Sequence, residues 1–228
     1  MMAYYLIIGV FAGIGWLASS RLKSKFEKYT KMPTENGESG AQVAQNMLNY
    51  FGINDVKIVQ GQGMLTDHYN PLTKTISLSP EVHNGRHVSA AAVAAHECGH
   101  AVQHADAYSM LTLRSKLVPV VQISSKLQQF LFMAAMFGLA SSVGGPYIML
   151  ALVITFGMTA LFSLITLPVE FDASRRALVW LDESGTTLGA NYDGAKDALT
   201  WAAMTYLVQA LSALTLFFYF LLRYLGQR

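Results

Sequence analysis

The sequence predicts a mainly α, polytopic membrane protein with about four transmembrane helices and a small α+β region holding a short β-sheet. Three observations lead there. Hydrophobic residues make up 53% and charged residues 13% of the 228-residue chain. That charge fraction is about half the average for a soluble domain. The apolar residues also gather into uncharged runs long enough to cross the roughly 30 Å hydrocarbon core of a bilayer. Between the first and second of these runs lies a mixed stretch with alternating, helical and turn patterns. The net charge of +2 is too small to imply a nucleic-acid partner. Cys98 is the single cysteine, so no intrachain disulfide can form.

Residues 1–20 carry no charged side chain, and Arg21, Lys23, Lys25, Lys28 and Lys31 follow them. A cleaved signal peptide has its basic residues before the apolar run. The reverse order here predicts a retained N-terminal anchor with its basic side in the cytoplasm. Residues 32–40 read as a loop. Ala41 to Phe51 reads as an amphipathic helix with Val43, Ala44, Met47 and Leu48 on one side, stopped by Gly52. Val56 to Val59 and Thr73 to Ser79 alternate and read as strands, with Asp67 to Pro71 as a turn between them. Pro80 suits the first turn of a short helix after Ser79. If Lys74, Thr75, Ile76, Ser77 and Leu78 form an exposed edge strand, a substrate backbone could pair with it. An ordinary internal strand is the plain alternative.

Two further spans are expected, Leu127 to Val143 and Tyr147 to Leu167, because no charge occurs from Leu127 through Val169 and Gly144-Gly-Pro146 interrupts the run. A helix with Pro168 near its start and Gly185 at its end follows, then a turn from Asp193 to Asp197. Ala198 to Leu222 makes the fourth span. The expected organisation is an anchor at 1–20, a cytoplasmic region at 21–126, a transmembrane hairpin at 127–167, a cytoplasmic helix at 168–197 and a last span at 198–222.

Chemistry concentrates in one stretch. All six histidines fall between His68 and His104, and Ala-rich sequence from Val88 runs into His96-Glu97-Cys98-Gly99-His100, an HExxH pattern. On a helix from about Ser89 to Asp106, His96 and His100 sit one turn apart on one face. Two such imidazoles can bind one Zn²⁺, and Glu97 can act as general base on a water. His104 continues that face but sits too far along a straight helix to be gathered easily by the same ion. It is expected to support a ligand or to be structural. Asp106 is a weak alternative ligand.

A catalytic zinc takes three protein ligands and keeps one position open. The third must lie on the same side of the membrane as His96 and His100. Glu170 meets that condition, since two crossings separate it from the HExxH helix. The ordinary alternative is an interfacial charge paired with Arg21 or Lys23.

His96 to His104, Leu167-Pro-Val-Glu-Phe-Asp-Ala-Ser-Arg-Arg-Ala177, and Ala195-Lys with Ala202-Ala-Met-Thr-Tyr206 together resemble the YugP-type neutral zinc metallopeptidases of bacterial membranes. The likeness covers nearly the whole chain. More distantly the chain is similar to HtpX-type and CAAX-prenyl-type gluzincin proteases. The resemblance implies Zn²⁺, peptide-bond hydrolysis, His96, His100 and Glu170 as ligands, and Glu97 as base. In the wider gluzincin pattern an Asp stands four residues after the ligand Glu and orients a ligand His. Here that position is Ser174. Asp172 and Asp106 are therefore the expected supports for the ligand histidines. Arg175, Arg176 and Tyr192 are candidates for stabilising the tetrahedral intermediate, with a solvated basic helix face as the plainer reading of the two arginines.

The expected function is a zinc endopeptidase at the cytoplasmic face of a bacterial plasma membrane, acting on protein or peptide substrates in membrane-protein processing or quality control. The alternative is a catalytically silent membrane scaffold with a structural zinc site. An intact Glu97 argues against it, because a structural site needs no base. Homo-oligomers and membrane-protein partners are left open by the sequence.

Overall fold

The computed structural model describes residues 2–64, 66–137 and 145–226. Its elements in chain order are α1 (Met2–Tyr29), α2 (Gly40–Tyr50), β1 (Lys57–Gln60), β2 (His68–Asn70), β3 (Thr75–Leu78), α3 (Pro80–Asn84), α4 (Val88–Ala105), α5 (Ser109–Met136), α6 (Gly145–Glu183) and α7 (Ala190–Leu225). Two compact units result. One comprises Met1–Leu17, Thr112–Leu167 and Thr205–Arg228; the other comprises Ala18–Leu111 and Pro168–Met204.

The first unit is apolar and helical. Among the described residues, three helices are long and apolar enough to cross a membrane: α1, α6 and α7. The expected span Leu127 to Val143 falls partly outside the described residues, and α5 covers its first part. A cluster of Met149, Leu152, Val153, Phe156 and Phe220 forms the interior of this unit, with Phe156 and Phe220 stacked at 4.6 Å between ring centroids.

The second unit is built around α4. Its alanines (Ala90, Ala91, Ala94, Ala95 and Ala101) are buried and let α2 lie close. The α2 face is the expected one: Val43, Ala44, Met47 and Leu48 are fully buried against α4. Ser39 and Gln42 close a capping box at the start of α2, which satisfies two otherwise orphaned N–H groups. Gly52 ends the helix at φ +67, a conformation that glycine adopts without strain. Pro80 opens α3 as expected. His87 caps α4: its Nδ1 accepts from the Ala90 N–H at 3.1 Å.

Several expectations are corrected. The stretch expected as a turn, Asp67 to Pro71, contains the strand β2. The Asp67 carboxylate accepts from the Ser79 N–H (2.7 Å) and hydroxyl (3.2 Å), which pins this segment beside β3. Three residues are too few for a period-2 signal to stand out. The sheet order is β1-β3-β2, with β1 parallel and β2 antiparallel to β3. Lys74, Thr75, Ile76, Ser77 and Leu78 are therefore not an edge strand. Thr75–Leu78 form the central strand, Lys74 sits in the turn before it, and the backbone hydrogen-bonding groups of β3 face partners on both sides. Substrate cannot add there, and the free edges belong to β1 and β2.

The helices are also longer than expected. Helix α1 continues through the basic segment to Tyr29. Pro168 lies inside α6 rather than opening a new helix. A proline interrupts one i−4 hydrogen bond, but helices of membrane type accommodate this routinely. The 168–183 part of α6 lies beyond the expected span 147–167. The expected turn at Asp193 to Asp197 is helical and belongs to the start of α7, where Asp193 suits the positive end of the helix dipole. Gly185 (φ +69) and Gly189 (φ +51) separate α6 from α7.

Candidate metal centre

The centre is made where α4 meets the 168–183 segment of α6. On α4, residues 96, 99, 100 and 103 recur at i, i+3, i+4 and i+7, so they share one stripe. On α6, residues 170, 173, 174 and 177 form the matching stripe. The helices run antiparallel there: His96 meets Ser174, His100 meets Glu170, and Gln103 meets Val169. Gly99 sets their separation. A Cβ built on it would lie 2.5 Å from the Ala173 carbonyl oxygen, so only glycine permits this approach.

The approach brings His96, His100 and Glu170 together, with one ligand atom from each within 4.8 Å of the others. Glu170 Oε2 lies 3.3 Å from His96 Nε2 and 3.6 Å from His100 Nε2. Two donors about 2.0–2.1 Å from one tetrahedral ion stand about 3.3–3.4 Å apart. The spacing and the donor types, two imidazole nitrogens and one carboxylate oxygen, both fit zinc. Glu170 is almost wholly buried, and His100 is also buried. Burial alone would raise the Glu170 carboxyl, but hydrogen bonds and charge from His100 and His96 hold it well below the usual range. Burial pushes His100 down, while Glu170 and then Glu97 outweigh it and raise its net value. In both groups the partner wins over desolvation, and an incoming cation would inherit that favourable field.

Each ligand histidine is held from behind. Ser174 Oγ lies 3.1 Å from His96 Nδ1. Gln103, fully buried, places Oε1 at 3.1 Å from His100 Nδ1 and donates from Nε2 to Val169 O (2.8 Å) and Asp172 Oδ2 (2.9 Å). Both amide hydrogens are thus used, so Oε1 must face His100 and accept from its Nδ1–H. With Nδ1–H fixed there, Nε2, which faces Glu170, is the nitrogen that would give up its proton and offer its lone pair to an ion, the tautomer a metal ligand needs.

The expected supports are corrected accordingly. Asp172 and Asp106 do not contact the ligand histidines in the described hydrogen bonds. Asp172 stands two residues after Glu170, about 200° around the helix, and cannot share its face. It accepts instead from Gln103, Arg175 Nη2 (2.6 Å) and Arg176 Nε (2.6 Å). Burial raises the Asp172 carboxyl, but the Gln103, Arg175 and Arg176 hydrogen bonds prevail and lower it. Asp106 pairs with Arg176 Nη1 at 2.5 Å. Arg175 and Arg176 are thereby committed to the Asp172 and Asp106 carboxylates. His104 bonds Tyr69 Oη through Nδ1 at 2.8 Å and is not in the metal group. Tyr192 lines a groove beside Ser174 rather than the donor cluster. Gly99, Gln103 and Ser174 escaped the sequence reading; the i+3 and i+7 spacing from His96 was the signal available for the first two.

Glu97 is buried and stands one residue after His96. Cys98 points the other way: its Sγ donates to Ala44 O at 3.4 Å, and burial followed by the Glu97 charge pushes its thiol well up. It is not a thiolate ligand.

A helical membrane-type protein with two helix-borne imidazoles and a distant carboxylate around one point has the form of a zinc metallopeptidase. The chain belongs to the family described as "putative neutral zinc metallopeptidase", whose model matches residues 4–225. It is 37% identical over 228 residues to the "Putative membrane protease YugP" of Bacillus subtilis (strain 168), covering 100% of this chain and 99% of that protein. No solved structure matches the chain.

Proposed function

We propose that this protein is a membrane-embedded zinc endopeptidase that hydrolyses peptide bonds at the cytoplasmic surface of the bacterial plasma membrane. The observation that carries the reading is the convergence of His96, His100 and Glu170, with Glu97 next along the same helix. Zinc in this site would acidify a water and polarise the scissile carbonyl. Glu97 accepts the proton of the attacking water and passes it to the leaving amine. His96 and His100, held at Nδ1 by Ser174 and Gln103, keep Nε2 directed inward, and Glu170 completes the donor set from α6. A cytoplasmic site follows from the basic residues after the first span and around Arg175 and Arg176. Work in processing or quality control of membrane proteins suits such a placement.

The test is metal analysis and peptide cleavage with the purified full chain. Wild type should hold one zinc per chain and cut. Glu170→Ala should lose metal and activity together. Glu97→Gln should keep zinc and lose cleavage, because an amide accepts no proton. Cleavage by Glu97→Gln at the wild-type rate would refute the mechanism.

A further inference from the structure

A groove of about 250 Å³ runs between α6 and α7 within the second unit, and Ser174, the residue bonded to His96, forms part of its wall. Its apolar lining is Phe171, Leu178, Val179, Leu199 and Ala203. The proposed peptidase reaction does not use these residues. Their position relative to the site follows from the helix geometry. Helices α4 and α6 are antiparallel and meet along the 96/99/100/103 and 170/173/174/177 stripes. In an antiparallel pair, the residue following the inward one on each helix turns to the same flank. Glu97 and Phe171 therefore share a flank, and Ser174, Leu178 and Arg175 lie on that side of α6. Gln103, Asp172, Arg176 and Asp106 occupy the opposite flank, as their mutual hydrogen bonds require. The groove thus lies on the flank of the α4–α6 pair to which Glu97 turns.

Resting on the peptidase reading, we infer that this groove is a specificity subsite that takes one bulky apolar side chain, of the Leu, Phe or Met class, beside the scissile bond. Size supports a single side chain: small-molecule sites run to about 300–1,000 Å³, and this groove is smaller. Charge supports the apolar class. Lys196 stands on the lining beside Arg175, whose charge Asp172 offsets, and no carboxylate is among the lining residues, so a basic side chain meets like charge and finds no partner there. An acidic one would have to desolvate its carboxylate against Leu178 and Leu199. The order of preference is bulky apolar first, acidic next and basic last.

The experiment uses the zinc-loaded full chain in detergent micelles, a mixture of random-sequence peptides, and mass spectrometry of the cut sites. Wild type should enrich Leu, Phe and Met, and deplete Lys and Arg, at one position flanking the cut. Thr200→Trp, at an exposed position on the groove, should fill it and lower the Leu-over-Ala ratio about tenfold, with zinc content unchanged. Val179→Trp fills it from α6 and should do the same, which covers a failure of the first variant to fold. Cutting by wild type with no apolar enrichment overturns the subsite and leaves the peptidase reading standing. Enrichment that survives in both zinc-bound variants also overturns it. A zinc-loaded wild type that cuts no peptide overturns the peptidase reading, and the subsite falls with it.

Discussion

Gly99→Ala is the sharpest probe of how the centre is assembled. The added Cβ would stand 2.5 Å from the Ala173 carbonyl oxygen, with the Ala173 carbonyl carbon and Cα each at 3.1 Å. Carbon–oxygen contacts settle at about 3.3 Å or more, so α4 and α6 must separate by about 0.8 Å at this crossing. These three nearest atoms are all backbone, so no side-chain rotation relieves the contact. Glu170 and Ser174 flank Ala173 on α6, so the displacement carries a ligand and the His96 support together. Metal sites tolerate about 0.2 Å in ligand distance, and the imposed shift is several times that. Zinc affinity should fall at least tenfold, by analogy with loss of an orienting partner. Overpacking should cost about 1–3 kcal/mol of stability. The assay is chelator competition for zinc together with thermal unfolding, beside Gly13→Ala, where an added Cβ meets nothing within 4 Å. A Gly99→Ala protein binding zinc within twofold of wild type would refute the close crossing as the device that sets the donor spacing.

Other outcomes follow from the same geometry. Gln103→Leu removes the His100 contact and both donors to α6 at nearly constant volume; zinc affinity should drop about 10–100-fold, measured by competition, whereas an unchanged affinity would separate Gln103 from ligand orientation. Asp172 has a folded-state carboxyl held below its unfolded value, so its contribution to stability is full above the unfolded value and is lost as pH falls through the folded one. Melting temperature against pH should therefore show a flatter acid limb in Asp172→Asn than in wild type, and identical limbs would count against the Gln103–Asp172–Arg176 network. For topology, single cysteines at Gly145, Ser184 and Gln227 in a Cys98→Ser background should be labelled by an impermeant maleimide at 145 and 227 and spared at 184. Labelling at 184 with protection at 145 would place the zinc site outside the cytoplasm.

Much of this protein is set by local periodicity and is therefore readable along the chain. The 3.6-residue repeat alone puts His96 and His100 on one face of α4, and Val43, Ala44, Met47 and Leu48 on the buried face of α2. Uncharged length identifies the apolar helices, while Gly52, Pro80 and Gly185 mark the end of α2, the start of α3 and the end of α6, where steric limits on φ act within a residue or two. Glu170, which the structure groups with His96 and His100, is singled out by the two membrane crossings expected between it and the HExxH helix.

What only the tertiary structure decided is which faces meet. Ser174 rather than Asp172 supports His96, because the inward stripe of α6 contains 170 and 174 and excludes 172. Gln103 supports His100 through an amide whose hydrogens are consumed on α6, a bond between residues 66 positions apart. β3 became the central strand once a three-residue segment, held by Asp67, paired along its other side. Pro168 reads as a helix start from sequence, yet the helix passes through it. In each case the deciding energy is packing or hydrogen bonding between segments far apart in the chain, and no single stretch of sequence contains both partners.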